Sequence, residues 1–284
     1  MRDVDLTAYN AYRIAARAGR LCLPLDLEDL RTALAALPAP PLVLGHGNNV
    51  ILAQQHYPAQ QPILCMASYR PRFERHGNGF YVSAGISLRE LCLAAKIEGL
   101  SGLESLWDIP SSIGGAVFMN AGAYGEDFLS RVDYVDVFDV DTDAVLRLDA
   151  DALQPAYRAS RFSAGDRRIV LGAQVSLVAS SAVDVARAMR QIALRRRARF
   201  PYEQANAGSL FKRPATGEAA SRLLDLSGCK GLRVRGAAIS TLHAGFCVAR
   251  ADVRGADVLE LAGHCAARVQ QRFGLRLELE QVAL

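Results

Sequence analysis

The chain has 284 residues, 51% apolar and 22% charged, with a formal net charge of +4. That length exceeds one ordinary core, so two or three domains are expected, and the mild positive charge favours an anionic small molecule without pointing to nucleic acid. Met1-Arg2-Asp3-Val4-Asp5 is no apolar leader core and no uninterrupted apolar stretch reaches membrane-spanning length, so a cytoplasmic protein with no membrane partner is expected.

Six cysteines (Cys22, Cys65, Cys92, Cys229, Cys247, Cys265) are scattered, mostly among apolar neighbours, with no CxxC spacing and no Cys/His cluster. Buried free thiols are the expectation, not a zinc site or a disulfide framework.

In chain order, Leu42-Val43-Leu44, Gly45-His46-Gly47-Asn48-Asn49 and Val50-Ile51-Leu52 read as strand, glycine loop, strand. A Rossmann fingerprint requires a helix after the loop and a third glycine, and both are missing. Successive N–H groups in such a loop can hold phosphate oxygens; a plain turn fits the residues equally well. Ser87 to Ile97 reads as a helix: Ser87 and Glu90 have capping-box spacing, Leu88, Leu91, Cys92 and Ala95 share one face, and Gly99 supplies a stop.

From Ile109 to Gly125 the sequence is dominated by small residues, with glycines at 114, 115, 122 and 125 and hydrogen-bonding groups at Ser111, Ser112 and Asn120. Such a run lets main chain approach a ligand closely, and a flat, phosphate-bearing cofactor lying along it explains its length better than a packed glycine turn does. Tyr134–Phe138 alternates as a strand. Val183 to Arg197 reads as a helix with Val185, Met189 and Ile192 inward. The basic run from Arg195 to Arg199 closes that helix, where cations suit the C-terminal dipole; without interleaved aromatics it is no nucleic-acid motif. A helix is expected from Asp257 to Arg272, and a strand at Arg276–Glu280 with Glu278 and Glu280 on one face. Strands and helices mixed without a βαβ rhythm give an α+β class.

Four segments in order carry a resemblance to a known family. Ile109–Gly125 resembles an IPG(S/T)-x-GG…NAGAYG signature, Gly45–Asn49 a G-x-GSN loop, Ala156–Phe162 a YR-x-S-x-F segment, and Ala207–Pro214 an AGS-x-FK(N/R)P segment. Gly228–Phe246 and the C-terminal L-E-x-E pattern continue the match. The whole chain is thus similar to the UDP-N-acetylenolpyruvoylglucosamine reductase (MurB) family, in its shorter subtype without a tyrosine-loop insertion.

The resemblance implies a two-part FAD-binding unit of the vanillyl-alcohol-oxidase (PCMH) kind plus a MurB-type C-terminal substrate domain. The expected divisions are 1–66, 67–182 joined by a final strand at 274–284, and 183–273 for substrate. It implies FAD reduced by NADPH, a nucleotide-sugar substrate bearing an enolpyruvyl group, peptidoglycan synthesis, and a monomer. Cofactor contacts would come from Gly45, His46, Gly47, Asn48, Asn49, Val50, Ile109, Pro110, Ser111, Ser112, Gly114, Gly115, Asn120, Ala121, Gly122 and Tyr124. Arg158 would polarise the substrate carboxylate, Ser209 would be the general acid, and Glu280 would assist, with Glu278 secondary. Lys212 and Arg213 could meet the uridine diphosphate. Without the motifs, Arg158 would read as a surface arginine, Ser209 as part of a turn, and the two acids as a solvated edge. A divergent paralogue reducing another enolpyruvyl nucleotide, or a flavin or nucleotide-sugar binder without catalysis, are the alternatives.

The chain departs from the pattern at several points. Arg13-Ile14-Ala15-Ala16 stands where a glycine pair is common, Asn48 replaces a serine, Ser111 replaces a glycine, Trp107-Asp108 replaces small residues, and Ala249-Arg250-Ala251 replaces Asn-x-Gly. A Cβ where glycine is needed obstructs close approach or a positive φ.

Overall fold

The structure, a computed structural model, describes residues 1–284. It divides into two compact units, one of residues 22–46 and 63–194 and one of residues 1–21, 47–62 and 195–284.

The first unit is a sheet with helices packed on it. Its strands β1 (Leu42–Leu44) and β2 (Ile63–Cys65) run parallel, with Leu42 opposite Ile63 and Leu44 opposite Cys65. Five further strands, β3 (Phe73–His76), β4 (Gly79–Ser83), β5 (Val132–Asp139), β6 (Ala144–Asp149) and β7 (Ile169–Ser176), form an antiparallel sheet in the order β6-β5-β7-β4-β3. The expected strand at 134–138 lies inside β5. Its burial does not alternate cleanly, because Asp136 is buried too. Asp136 is accommodated by Arg147 on β6, whose Nε donates to Oδ1 at 2.9 Å while the guanidinium lies 3.7 Å over the Tyr134 ring.

Helices α1 (Leu27–Ala35), α2 (Leu88–Ile97), α3 (Ile113–Met119) and α4 (Ala182–Arg197) complete this part of the chain. In α2 the Glu90 amide donates to Ser87 Oγ and the Ser87 amide to Glu90 Oε2, both at 3.1 Å, so the capping box closes as the spacing requires. Gly99, at φ +66, follows the last turn. Leu88, Leu91, Cys92 and Ala95 enter one core with Ile113, Ala116 and Val117 of α3 and Val82, Val135, Ala173 and Val175 of the sheet. Truncating one of the larger of these to Ala costs about 2–5 kcal/mol. Val185 and Met189 of α4 reach the same core, Ile192 is half-buried, and Arg195–Arg197 form the last turn as the charge pattern implied.

In the second unit, Arg17–Cys22 pairs antiparallel with Arg2–Asp5 and parallel with His56–Tyr57. Arg233–Val234, Ala237–Ile239 and Cys247–Ala249 form a meander beside α5 (Ala220–Leu226) and α6 (Gly255–Phe273). The helix expected from Asp257 to Arg272 is α6; Val258, Leu261, Ala262, Cys265 and Val269 are its buried stripe.

One expectation changes. Arg276–Glu280 is no regular strand: it makes a single bridge, Leu279 to Phe211, with Lys212 N donating to the Glu278 carbonyl at 2.9 Å and Glu280 N to the Leu210 carbonyl at 3.0 Å. The regular C-terminal strand is Val282–Ala283, parallel to Val50–Ile51. That parallel pair fastens residues 47–62 to the C-terminal part, and a Cβ on Gly255 would collide with the Leu52 carbonyl, so the segments pack tightly.

All six cysteines are free; Cys22 is half-buried and the others are buried. No helix is long and apolar enough to cross a membrane.

Candidate active site

In the unit of residues 22–46 and 63–194, the small-residue run is more ordered than its composition implied. Ser112 caps α3, its Oγ accepting from Gly115 N at 3.1 Å, and Asn120 ends the helix in the left-handed region at φ 43. Asn120 is buried and both ends of its amide are engaged: Oδ1 accepts from Leu129 N at 3.0 Å and Nδ2 donates to the Ala156 carbonyl at 3.0 Å. Ser112, Asn120 and Ala121 are buried, so they contribute shape and not exposed donors.

The open face of α3 carries Gly114 and Gly115, both half-buried, so main chain forms a floor there. Gly45 lies against this segment, and a Cβ on it would stand 2.6 Å from Ser112 Oγ. The structure therefore brings Gly45 to the start of the Ser112–Gly115 helix. Beside it, His46 Nε2 is 3.0 Å from the Gly85 carbonyl; a carbonyl only accepts, so Nε2 carries the proton. Ile109 is half-buried, Pro110 is exposed, and Tyr124 is exposed at φ 56. Ser111 has no positive φ, and its Oγ donates to the Ser112 carbonyl at 2.9 Å, so the Cβ is accommodated where the pattern has glycine. Trp107 is accommodated as well, its Nε1 donating to the Met189 carbonyl at 3.1 Å with Arg89 stacked 5.0 Å from the ring centroid.

Arg158 belongs to this same unit. Its backbone is left-handed, φ 52, and its Nη2 donates to the Gly122 carbonyl at 2.5 Å. The guanidinium lies 5.1 Å from the Tyr157 ring centroid and 3.8 Å from Asp127 Oδ1. Burial raises the Asp127 carboxyl above its ordinary range, Arg158 opposes that, and Glu126 adds to it. A cation held this way, partly screened from water, suits a planar carboxylate ligand.

The remaining candidates lie in the unit of residues 1–21, 47–62 and 195–284. Gly47, at φ +70, begins a turn in which Asn48, Asn49 and Val50 are half-buried; the Tyr9 carbonyl leaves no room for a Cβ at 47. Asn49 Nδ2 donates to the Glu280 carbonyl at 3.1 Å, and Val282 N donates back to the Asn49 carbonyl at 2.9 Å. Ser209 bridges Phe246, and the next residue's carbonyl receives Glu280 N. The turn at 47–50, Ser209 and Glu280 are therefore brought together in one unit. Glu278 departs from Glu280: it is exposed and paired with Lys212 at 2.5 Å. Arg213 is exposed and donates to the Gly217 carbonyl at 2.9 Å.

In the unit of residues 22–46 and 63–194, a main-chain floor without side chains at 114–115 suits a flat ring system; in the other unit, a tight turn at 47–49 with successive N–H groups suits phosphate oxygens. No group of three or more His, Cys, Asp or Glu residues is placed to hold a metal ion.

Sequence reasoning passed over three residues. Asp127 sits against Arg158, and Gln281 and Tyr12 are hydrogen-bonded to each other under the Ser209 turn. A glutamine directly after the C-terminal acidic pair was the one available signal for Gln281; local sequence held none for Tyr12 or Asp127.

Residues 200–284 match the family model for the C-terminal domain of UDP-N-acetylenolpyruvoylglucosamine reductase. The chain is 34% identical to the UDP-N-acetylenolpyruvoylglucosamine reductase of Pseudothermotoga lettingae, over 98% of this chain and 95% of that one. It is 35% identical to that of Anaeromyxobacter dehalogenans, over 99% of this chain and 84% of the relative. The crystal structure of the reductase (MurB) from Thermus caldophilus superposes with a TM-score of 0.83 at 31% identity, covering 99% of this chain and 98% of that one. The chain belongs to the UDP-N-acetylenolpyruvoylglucosamine reductase family.

Proposed function

We propose that this protein is an FAD-dependent oxidoreductase that uses NADPH to reduce UDP-N-acetylglucosamine enolpyruvate to UDP-N-acetylmuramate in peptidoglycan synthesis. The observation that carries this reading is the whole-length relationship to reductases of that name. Bound FAD, reduced by NADPH, supplies two electrons and one hydrogen nucleus to the terminal enolpyruvyl carbon. One proton is then needed at the adjacent carbon, so the C=C bond becomes a single bond with two new C–H bonds, and one NADPH and one proton are consumed.

The roles assigned here follow that balance. Arg158 stabilises the negative charge that develops on the substrate carboxylate, supported by its oriented guanidinium beside the Gly122 carbonyl. Ser209 delivers the proton from its hydroxyl and recovers one from solvent. Glu280, one residue past the bridge at Leu279, assists at the carboxylate end. Gly47, Asn48 and Asn49 would bind the cofactor's diphosphate through main-chain N–H groups, and Gly114 and Gly115 would be further cofactor contacts. Lys212 and Arg213 attract the nucleotide-sugar diphosphate. A monomer is part of this reading, and the use of NADPH and a nucleotide sugar supports the cytoplasm.

The purified protein should be yellow with an oxidised-flavin spectrum, and its NADPH consumption should require the enolpyruvyl nucleotide. Bound flavin with no response to this nucleotide would favour a divergent paralogue. Refusal of added FAD would contradict the reading outright.

A further inference from the structure

We propose that Gln281, anchored by Tyr12, is the positioning residue for Ser209; the inference rests on the reading of Ser209 as proton donor. Gln281 is buried at 3% exposure, yet it is polar and lies beside the most chemically important turn of its unit. Its Nε2 reaches three successive carbonyls, those of Ala207 at 3.2 Å and of Gly208 and Ser209 at 3.3 Å. Carbonyls only accept, so the amide must present its NH2 to them and its oxygen to the other side. There the Tyr12 hydroxyl donates to Oε1 at 2.8 Å.

Tyr12 is itself buried, and burial raises its phenol well above the ordinary range, so it remains a donor at any working pH. The phenol therefore fixes the amide orientation, and the amide fixes three peptide planes. Those planes need fixing: Gly208 is left-handed with open space where a Cβ would be, so local sterics leave the turn free to rotate. Asn206 Oδ1, accepting from Gly208 N at 3.1 Å, holds the near side, and Leu210 N, donating to the Gly245 carbonyl at 2.8 Å, holds the far side, which leaves the 208–209 plane between them to Gln281. Rotation of the 208–209 plane would carry the Ser209 hydroxyl away from the carbon it must protonate, and displacement by about 1 Å can cost a hundredfold in rate.

Gln281 touches no reacting atom, so its removal should lower kcat and leave substrate affinity nearly intact. In Gln281→Leu holoenzyme, flavin reduction by NADPH alone should stay within about twofold of wild type. Flavin reoxidation by the enolpyruvyl nucleotide should fall about 30- to 100-fold, with KM for that nucleotide changed less than about threefold. Amide hydrogen exchange at residues 207–210 should accelerate about tenfold or more while α6 is unchanged. Should the leucine variant fail to fold, Tyr12→Phe removes the anchoring donor together with the phenol's contact to Cys247 and should slow reoxidation about 5- to 20-fold.

Reoxidation at the wild-type rate in a folded Gln281→Leu protein, with Ser209→Ala slow, would overturn this inference and leave the reading of Ser209 standing. Wild-type turnover in Ser209→Ala would overturn both. Equal slowing of the two half-reactions would make Gln281 merely structural and overturn the inference.

Discussion

Gly122 and Arg158 are interlocked: the guanidinium donates to the Gly122 carbonyl at 2.5 Å, and a Cβ on Gly122 would stand 3.0 Å from Nη1. The same Cβ would collide with Asp127 Oδ1, so no larger residue fits without moving the arginine or the carboxylate. Gly122→Ala should destabilise the protein by about 1–3 kcal/mol and reduce turnover at least about tenfold. Thermal unfolding and steady-state kinetics read the two effects; an alanine variant with wild-type kcat would show that Arg158 is not held by this contact.

The loop that follows Arg158 is tied by Asp166, whose Oδ2 accepts from Arg161 Nε and from Arg168 Nη2, both at 2.6 Å. Burial alone would raise its carboxyl, but the Arg168 guanidinium and amide and then Arg161 outweigh it and hold it at about 2. A carboxyl lower in the folded state than its unfolded value of about 3.9 stabilises above that value and loses the contribution as pH falls towards 2. Asp166→Asn should therefore cost about 1–3 kcal/mol at pH 7, from lost charged hydrogen bonds, with the gap to wild type closing as pH drops from about 4 to about 2. Denaturant titration across that range checks both the size and the sign.

Arg13 stands exposed at φ 59, in a left-handed conformation that a Cβ disfavours. Arg13→Gly should stabilise the protein by about 0.5–1 kcal/mol and leave kcat unchanged. An unchanged or lower melting temperature would show that the arginine side chain offsets its own backbone strain.

Five of the six cysteines are buried and Cys22 is half-buried. Burial pushes the Cys247 thiol up to about 11 and raises the Cys65 thiol as well, so both resist modification. A thiol reagent under native conditions should titrate at most Cys22 rapidly, and all six after denaturation. Rapid reaction of two or more in the native protein would contradict the packing.

Elements written in local chemistry were legible: the Ser87–Glu90 capping box, the α6 stripe, and the strand-loop-strand around Gly45–Asn49. The C-terminal strand was not. Its alternation suited a ladder, but the segment facing it, some 70 residues earlier in the sequence, pairs with it at the single bridge Phe211–Leu279, and no local pattern names that partner. Asn120 read as a ligand group because a small polar residue among glycines suggests one; its contacts at Leu129 and Ala156 are made only after folding. Tyr12 and Gln281 lie 269 residues apart, so no local pattern could join them.

Single-turnover flavin reoxidation tests most directly whether Arg158, Ser209 and Glu280 act on one chemical step. With pre-reduced holoenzyme and the enolpyruvyl nucleotide, Arg158→Lys, Ser209→Ala and Glu280→Gln should each slow reoxidation by about a hundredfold or more, while NADPH reduces each variant's flavin within about threefold of the wild-type rate. Reoxidation at the wild-type rate in any one of the three would contradict the account.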